Sequence, residues 1–114
     1  MARYRLVVFT DPVKGREAEY NNWYDNRHLG DVVSFPSFLT AQRFKCAHIV
    51  RGAVPNRYLA IYEMDAADPA GAVTDMMNRY GSADFPASEA LDLDRANVAV
   101  FEVIGDVVEK QRSP

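Results

Sequence analysis

Residues 3–10 read Arg3-Tyr4-Arg5-Leu6-Val7-Val8-Phe9-Thr10, a β-branched and aromatic run that Asp11-Pro12 brings to a stop. The run predicts a strand with Tyr4, Leu6 and Val8 on one face and Arg5, Val7 and Phe9 on the other. Its apolar centre on both faces implies a sheet covered from both sides. The rest of the chain, or a second molecule, has to supply those two covers.

Three more segments extend the sheet. Residues 38–46 (FLTAQRFKC) alternate, with Thr40, Gln42 and Phe44 opposite Leu39, Ala41 and Arg43. Residues 57–64 (RYLAIYEM) set Tyr58, Ala60 and Tyr62 against Leu59, Ile61 and Glu63, and residues 96–104 (ANVAVFEVI) form the last strand. Two helices fit between. Residues 14–28 carry Tyr20, Trp23, Tyr24 and Arg27 at helical spacing, with Leu29-Gly30 as the expected stop and residues 31–35 as a connector to Pro36. Asp68-Pro69 is a helix start, an N-cap acceptor followed by proline at the first helical position, and Val73, Met76, Met77 and Tyr80 form a buried stripe that Gly81 ends. Residues 47–56 read as a loop, and residues 82–95 show no period.

The order strand, helix, strand, strand, helix, strand predicts an α+β fold, the ferredoxin-like βαββαβ unit with a four-stranded antiparallel sheet and both helices on one face. The helices leave the other face bare. Its apolar residues predict a homodimer packed sheet against sheet.

Composition agrees with one such unit. The chain has 114 residues, 48% of them hydrophobic and 25% charged, with a net charge of −3. That excludes a disordered chain or a rod and leaves one domain, residues 1–108, with a polar tail at 109–114. Cys46 is the only cysteine, so no internal disulfide forms and the cytoplasm is the expected compartment. No apolar run approaches the ~18 residues that a membrane-spanning helix needs, and the acidic balance disfavours nucleic acid. Glycine-rich phosphate loops and dinucleotide fingerprints are absent. Two distant histidines and one cysteine make a poor ligand set, so neither metal nor cofactor is expected.

The chemistry concentrates in residues 20–38. At ~100° per residue His28 falls beside Tyr24 and near Tyr20, with Asp31 one turn on. Imidazole titrates near neutrality and suits proton transfer, and an adjacent carboxylate would fix its tautomer. The same residues are open to a structural reading, with His28 capping a helix end and Asp31 capping the next turn. Tyr58 and Tyr62 share a strand face, where they either line a cavity or fill a dimer interface. Arg43 and Gln42 point to opposite faces, so at most one of them meets the cavity. Phe85 and Leu91 either close the cavity or pad the sheet edge. Cys46 and His48 are two apart in an extended segment but lack a third orienting group.

The stretch Trp23-Tyr24-Asp25-Asn26-Arg27-His28-Leu29-Gly30-Asp31, followed by Pro36-Ser37-Phe38 and Ala41-Gln42-Arg43-Phe44, resembles the signature of the EthD-like dimeric α/β-barrel proteins. Gly30 and Ser37 depart from the family's proline and glycine. The resemblance implies a homodimer of ferredoxin-like units, each with a cavity between sheet and helices. It places the family's histidine at His28, its acid at Asp31 and its aromatic pair at Trp23 and Tyr24. The resulting expectation is a cofactor-independent enzyme of isomerase, cyclase, dehydratase or lyase type acting on an aromatic or polyketide-like carbonyl compound. In it, His28 serves as acid or base, Asp31 orients it and Tyr62 stabilises an oxyanion, while Tyr20, Trp23, Tyr24, Tyr58 and Phe85 bind substrate. A non-catalytic binding protein and a cofactor-free oxygenase of a phenol are the alternatives.

Overall fold

A computed structural model describes residues 3–111. The elements are β1 (Arg3–Thr10), α1 (Glu17–Trp23), a π-helical turn (Tyr24–His28), α2 (Leu29–Val33), β2 (Phe38–Lys45), β3 (Tyr58–Asp65), α3 (Pro69–Met77), a 3₁₀ turn (Leu93–Arg95) and β4 (Asn97–Glu102). The sheet order is β2-β3-β1-β4, with every neighbouring pair antiparallel. This is the expected ferredoxin-like α+β arrangement.

The two faces of the sheet are unlike. Along β3, Tyr58, Ala60, Tyr62 and Met64 are buried, while Leu59, Ile61 and Glu63 between them are only half-buried. Across β1, Leu6 pairs with Tyr62 and Val8 with Ala60, so Tyr4, Leu6, Val8 and Thr10 share the buried face. Tyr58 and Tyr62 therefore face the helices. A register shift between Phe38 and Thr40 turns Thr40, Gln42 and Phe44 outward and leaves Ala41 and Arg43 facing inward.

The first helix differs from its expected span. It begins at Glu17 rather than near residue 14, and it continues through Gly30 to Val33. Trp23 and Leu29, at the two junctions, keep right-handed helical dihedrals, so α1, the π turn and α2 form one rod. Gly30 is helical rather than left-handed: the positive-φ glycines are Gly15, Gly52 and Gly81. The second helix ends at Met77, short of Gly81, which at φ 94° closes the turn that follows; of the expected stripe only Met76 is buried, Val73 and Tyr80 are half-buried and Met77 is exposed. The Asp68 cap also forms, its carboxylate accepting from Gly71 N–H at 3.0 Å.

Residues 82–95 fold back over the helix side. Val13 N–H donates to the Ala90 carbonyl at 2.6 Å, Asp92 N–H to the Asp11 carbonyl at 3.0 Å, and Trp23 Nε1 to the Pro86 carbonyl at 3.2 Å. Phe85 and Leu91 are thereby driven into the core. Buried Asp11 pins the strand ends together. It accepts from Arg57 N–H and Asn56 Nδ2, both at 2.9 Å, and Asn56 Oδ1 in turn accepts from Asn97 at 2.9 Å. The expected tail at 109–114 is exposed as far as residue 111, and residues 112–114 lie outside the described part.

Candidate functional site

Tyr20, Tyr24, His28 and Val32 are all buried and fall four residues apart. In a regular α-helix each four-residue step overshoots a full turn by about 40°, so three steps would swing Val32 far from Tyr20. The π turn corrects this. Leu29 N–H bonds to the Tyr24 carbonyl, an i→i+5 link that places more residues in the turn and winds the stripe back. The local distortion thus keeps the His28 ring on the sheet-facing side.

The imidazole sits in an aromatic nest. It stacks on Trp23 at 4.3 Å and 23° and on Phe85 at 5.2 Å and 3°, and it meets Tyr24 and Tyr80 edge-on at 5.1 Å and 5.9 Å. Only 8% of the residue is exposed, and Nδ1 has no hydrogen-bond partner. Burial drives its pKa down to about 4, and the nearby Asp31 charge opposes the shift only weakly. His28 is therefore neutral at pH 7.

A cavity of about 70 Å³ opens beside this ring, between β1, β3 and β4 on one side and the helices and residues 85–96 on the other. Its wall is almost wholly apolar, including Leu6, Val8, Val32 and Met76. Among the described residues, five buried side-chain polar atoms lack a partner. Four belong to residues lining this cavity: Tyr24 Oη, His28 Nδ1, Tyr62 Oη and Tyr80 Oη. The Tyr24 and Tyr62 hydroxyls lie near enough to shift each other's titration, as the Ser88 backbone does for Tyr80, but neither pair closes to hydrogen-bond distance and angle. Burial raises the Tyr24 pKa to about 12 and holds Tyr62 well above the ordinary phenol range. All of these groups stay uncharged at neutral pH. Native interiors leave few such atoms unpaired, and four around one cavity mark a place where a ligand would supply the partners.

The expected residues separate into two groups. His28, Tyr24, Tyr62 and Phe85 line the cavity, and Trp23 backs the imidazole. Tyr20 and Tyr58 do not. The Tyr20 hydroxyl is engaged with Thr10 Oγ1 at 2.5 Å, and the Tyr58 hydroxyl donates to Glu17. Asp31 is also committed elsewhere, accepting from Arg27 Nε at 2.7 Å. It has no hydrogen bond to His28, so the expected orienting contact is not formed. Cys46 and His48 are both exposed and not hydrogen-bonded to each other.

Arg43 supplies what the spacing argument left open. From β2 its guanidinium lies 4.5 Å from the Tyr24 ring centre and 5.2–5.3 Å from those of Tyr20 and Tyr58. It donates to Asp25 at 2.8 Å and Asn21 at 2.9 Å. It holds one side of Tyr24, a residue of the cavity lining. The sign available in the sequence was the phase of β2, which the bulge after Phe38 had to be known to settle.

No protein-family model matches the chain, and no curated protein matches it in sequence. Solved structures do. The haem-degrading protein MhuD of Mycobacterium tuberculosis, with two haems in its active site, superposes with a TM-score of 0.62 at 20% identity, over 92% of this chain and 99% of that one. A candidate monooxygenase from Shewanella loihica PV-4 gives 0.57 at 18%, over 93% and 99%. An EthD family protein from Bacillus halodurans gives 0.50 at 12%, over 91% and 100%. These likenesses, together with the strand order and the helix-covered face, show that the chain has a ferredoxin-like fold.

Proposed function

We propose that the protein is a small-molecule enzyme whose reaction is centred on His28, with the Tyr24 and Tyr62 hydroxyls as partners. The observation that carries this is the convergence of unpartnered buried polar atoms on one apolar cavity. The substrate class is an aromatic or polyketide-like carbonyl compound, which matches apolar walls and phenolic donors. The neutral imidazole accepts a proton from a C–H or O–H acidified by that carbonyl, and a tyrosine hydroxyl donates to the oxygen on which charge develops. A base this weak restricts the substrate to acidic protons, as in enols, phenols and dicarbonyls. Isomerisation, cyclisation, dehydration and lyase chemistry all use that proton movement. Asp31, bound to Arg27, takes no part in this reading.

The test is His28→Ala against His28→Gln, with turnover measured on a panel of such carbonyl compounds. Turnover is expected to fall at least 100-fold in both variants. Wild-type rates in either would remove His28 from the reaction.

An oxygenase is the second reading, favoured by the likeness to a candidate monooxygenase and by a cavity with little polar surface besides its phenols and imidazole. A phenolic substrate would react with O₂ after His28 accepts its proton, and O₂ consumption separates this from redox-neutral chemistry. Haem does not fit the residues present. A cavity of about 70 Å³ is far below the ~300 Å³ or more of ordinary cofactor pockets.

The outward sheet face supports a homodimer. Val7, Phe9, Leu59, Ile61, Phe44 and Phe101 lie on it, and no helix covers them. Exposed, unpaired Cys46 suits a reducing compartment, which supports the cytoplasm. Among the described residues no helix is long and apolar enough to cross a membrane.

A further inference from the structure

The cavity beside His28 does not end at its own wall. Leu91 and Leu93 line it, and they also line a wider, open cleft of about 640 Å³ formed by Val13, Gly81 and residues 86–89 and 91–94. The inner cavity is small. An engineered apolar cavity of about 150 Å³ takes a benzene ring, roughly twice the 70 Å³ available here. A ring that reaches the Tyr24 and Tyr62 hydroxyls therefore leaves part of the ligand outside. Met77, Leu93 and Val98 rim the opening as exposed apolar side chains. The outer part lies against the cleft that Leu93 shares.

Charge is distributed unevenly over this path. Among the described residues no lysine or arginine lines either hollow. The cleft carries three carboxylates, Glu89, Asp92 and Asp94. Among the described residues the nearest cation to them is Arg16, 4.0 Å from the Glu89 carboxylate and also bound to Glu19 at 2.8 Å. Arg43 stands behind the Tyr24 ring, outside the cavity lining, with Asp25 as counter-charge. The inner groups, two phenols and an imidazole each at least nine-tenths buried, are uncharged donors and acceptors. A ligand carboxylate would lose its hydration, touch no cation (Arg43 acts only from behind the Tyr24 ring) and lie near the three like charges of the cleft, whereas a carbonyl, amide or hydroxyl would find partners.

We infer that this site selects uncharged oxygen-bearing ring compounds and rejects carboxylates of the same shape, with the acid-lined cleft receiving the ligand's outer part. This rests on the small-molecule reading above and narrows it by charge.

Salicylamide and salicylate have nearly the same shape and differ in charge at pH 7. Trp23, the single tryptophan, packs on His28 and reports binding by its fluorescence. Titration of the full chain at low salt should give salicylamide a dissociation constant at least tenfold below that of salicylate. In the variant combining Glu89→Gln, Asp92→Asn and Asp94→Asn, salicylate affinity should rise several-fold and narrow the gap. Equal or tighter binding of salicylate to the wild type overturns the charge selection and leaves the small-molecule site standing. A gap unchanged in the triple variant overturns the part assigned to the cleft. Failure of both probes to bind at millimolar concentration removes the small-molecule reading, and the inference with it.

Discussion

The His28→Phe substitution keeps an aromatic ring stacked against Trp23 and Phe85 and removes a buried nitrogen that finds no partner. On packing grounds it should be neutral or stabilising at pH 7, because an unsatisfied buried group costs about 1–3 kcal/mol. The pH dependence has a definite sign. The unfolded chain binds a proton at His28 below about 6.5, while the folded chain resists it until about 4. Stability is therefore unaffected above pH 6.5 and falls between 6.5 and 4, by a total on the order of 3 kcal/mol. Urea denaturation at pH 7 and pH 4.5 should show the wild type losing more stability than His28→Phe. Identical losses would mean that the imidazole is not held neutral. Arg43 offers a second residue-scale test. Arg43→Lys cannot keep both hydrogen bonds, to Asp25 and Asn21, and the stacking on Tyr24. It should cost about 1–3 kcal/mol, read by the same denaturation. The position of His28 beside Tyr24 was legible from helical spacing. The loss of Asp31 to Arg27 was legible too, as an (i, i+4) ion pair, though from sequence Asp31 was weighed only as a partner of the histidine or a cap of the next turn.

At the scale of elements, α3 shows how a cap and a glycine depend on one another. A Cβ added to Gly71 would lie 2.3 Å from the Asp68 carboxylate that caps the helix. Gly71→Ala thus gains helix propensity and displaces the cap, two effects of about 1 kcal/mol and opposite sign. In the wild type the substitution should be nearly neutral or destabilising. After Asp68→Ala, which itself costs about 1 kcal/mol, Gly71→Ala should stabilise by ~0.5–1 kcal/mol. A double-mutant cycle by thermal or urea denaturation measures the coupling, and strict additivity would refute the steric link. The four strands and the α3 start were readable because each rests on local signals: alternation, a capping acceptor, a terminal glycine. The first helix was misjudged at both ends for the same local reason. Leu29-Gly30 looks like a stop, yet tertiary burial of Val32 and Phe35 against the core carries the helix through a glycine in right-handed geometry. Nothing in a single sequence announces the π turn. It is seen only once Tyr20, Tyr24, His28 and Val32 are found on one face.

At the scale of the molecule, the radius of gyration is 15.6 Å, against about 13 Å for a compact chain of this length. Two segments without helix or strand are strongly exposed: the loop after β2, with Ile49 and Val50, and the segment after β4, where Ile104, Val107 and Val108 are almost fully exposed. Their apolar side chains and the uncovered sheet face belong to one problem. A lone chain would keep all of these apolar side chains in water, the kind of surface that marks an interaction site. A second copy placed sheet to sheet removes the strand face from solvent and gives those segments something to grip. The expected mass in solution is accordingly twice 12.8 kDa, by light scattering or sedimentation. The melting temperature should rise with protein concentration, as it does when folding and association are coupled. Ile61 lies in the middle of the outward face, paired across from Val7 and Gln42. Ile61→Lys would bury two unpaired ammonium groups at a two-fold interface, a cost of several kcal/mol. That variant should run as a monomer with a concentration-independent melting temperature. A monomeric wild type would leave the apolar face without its proposed cover.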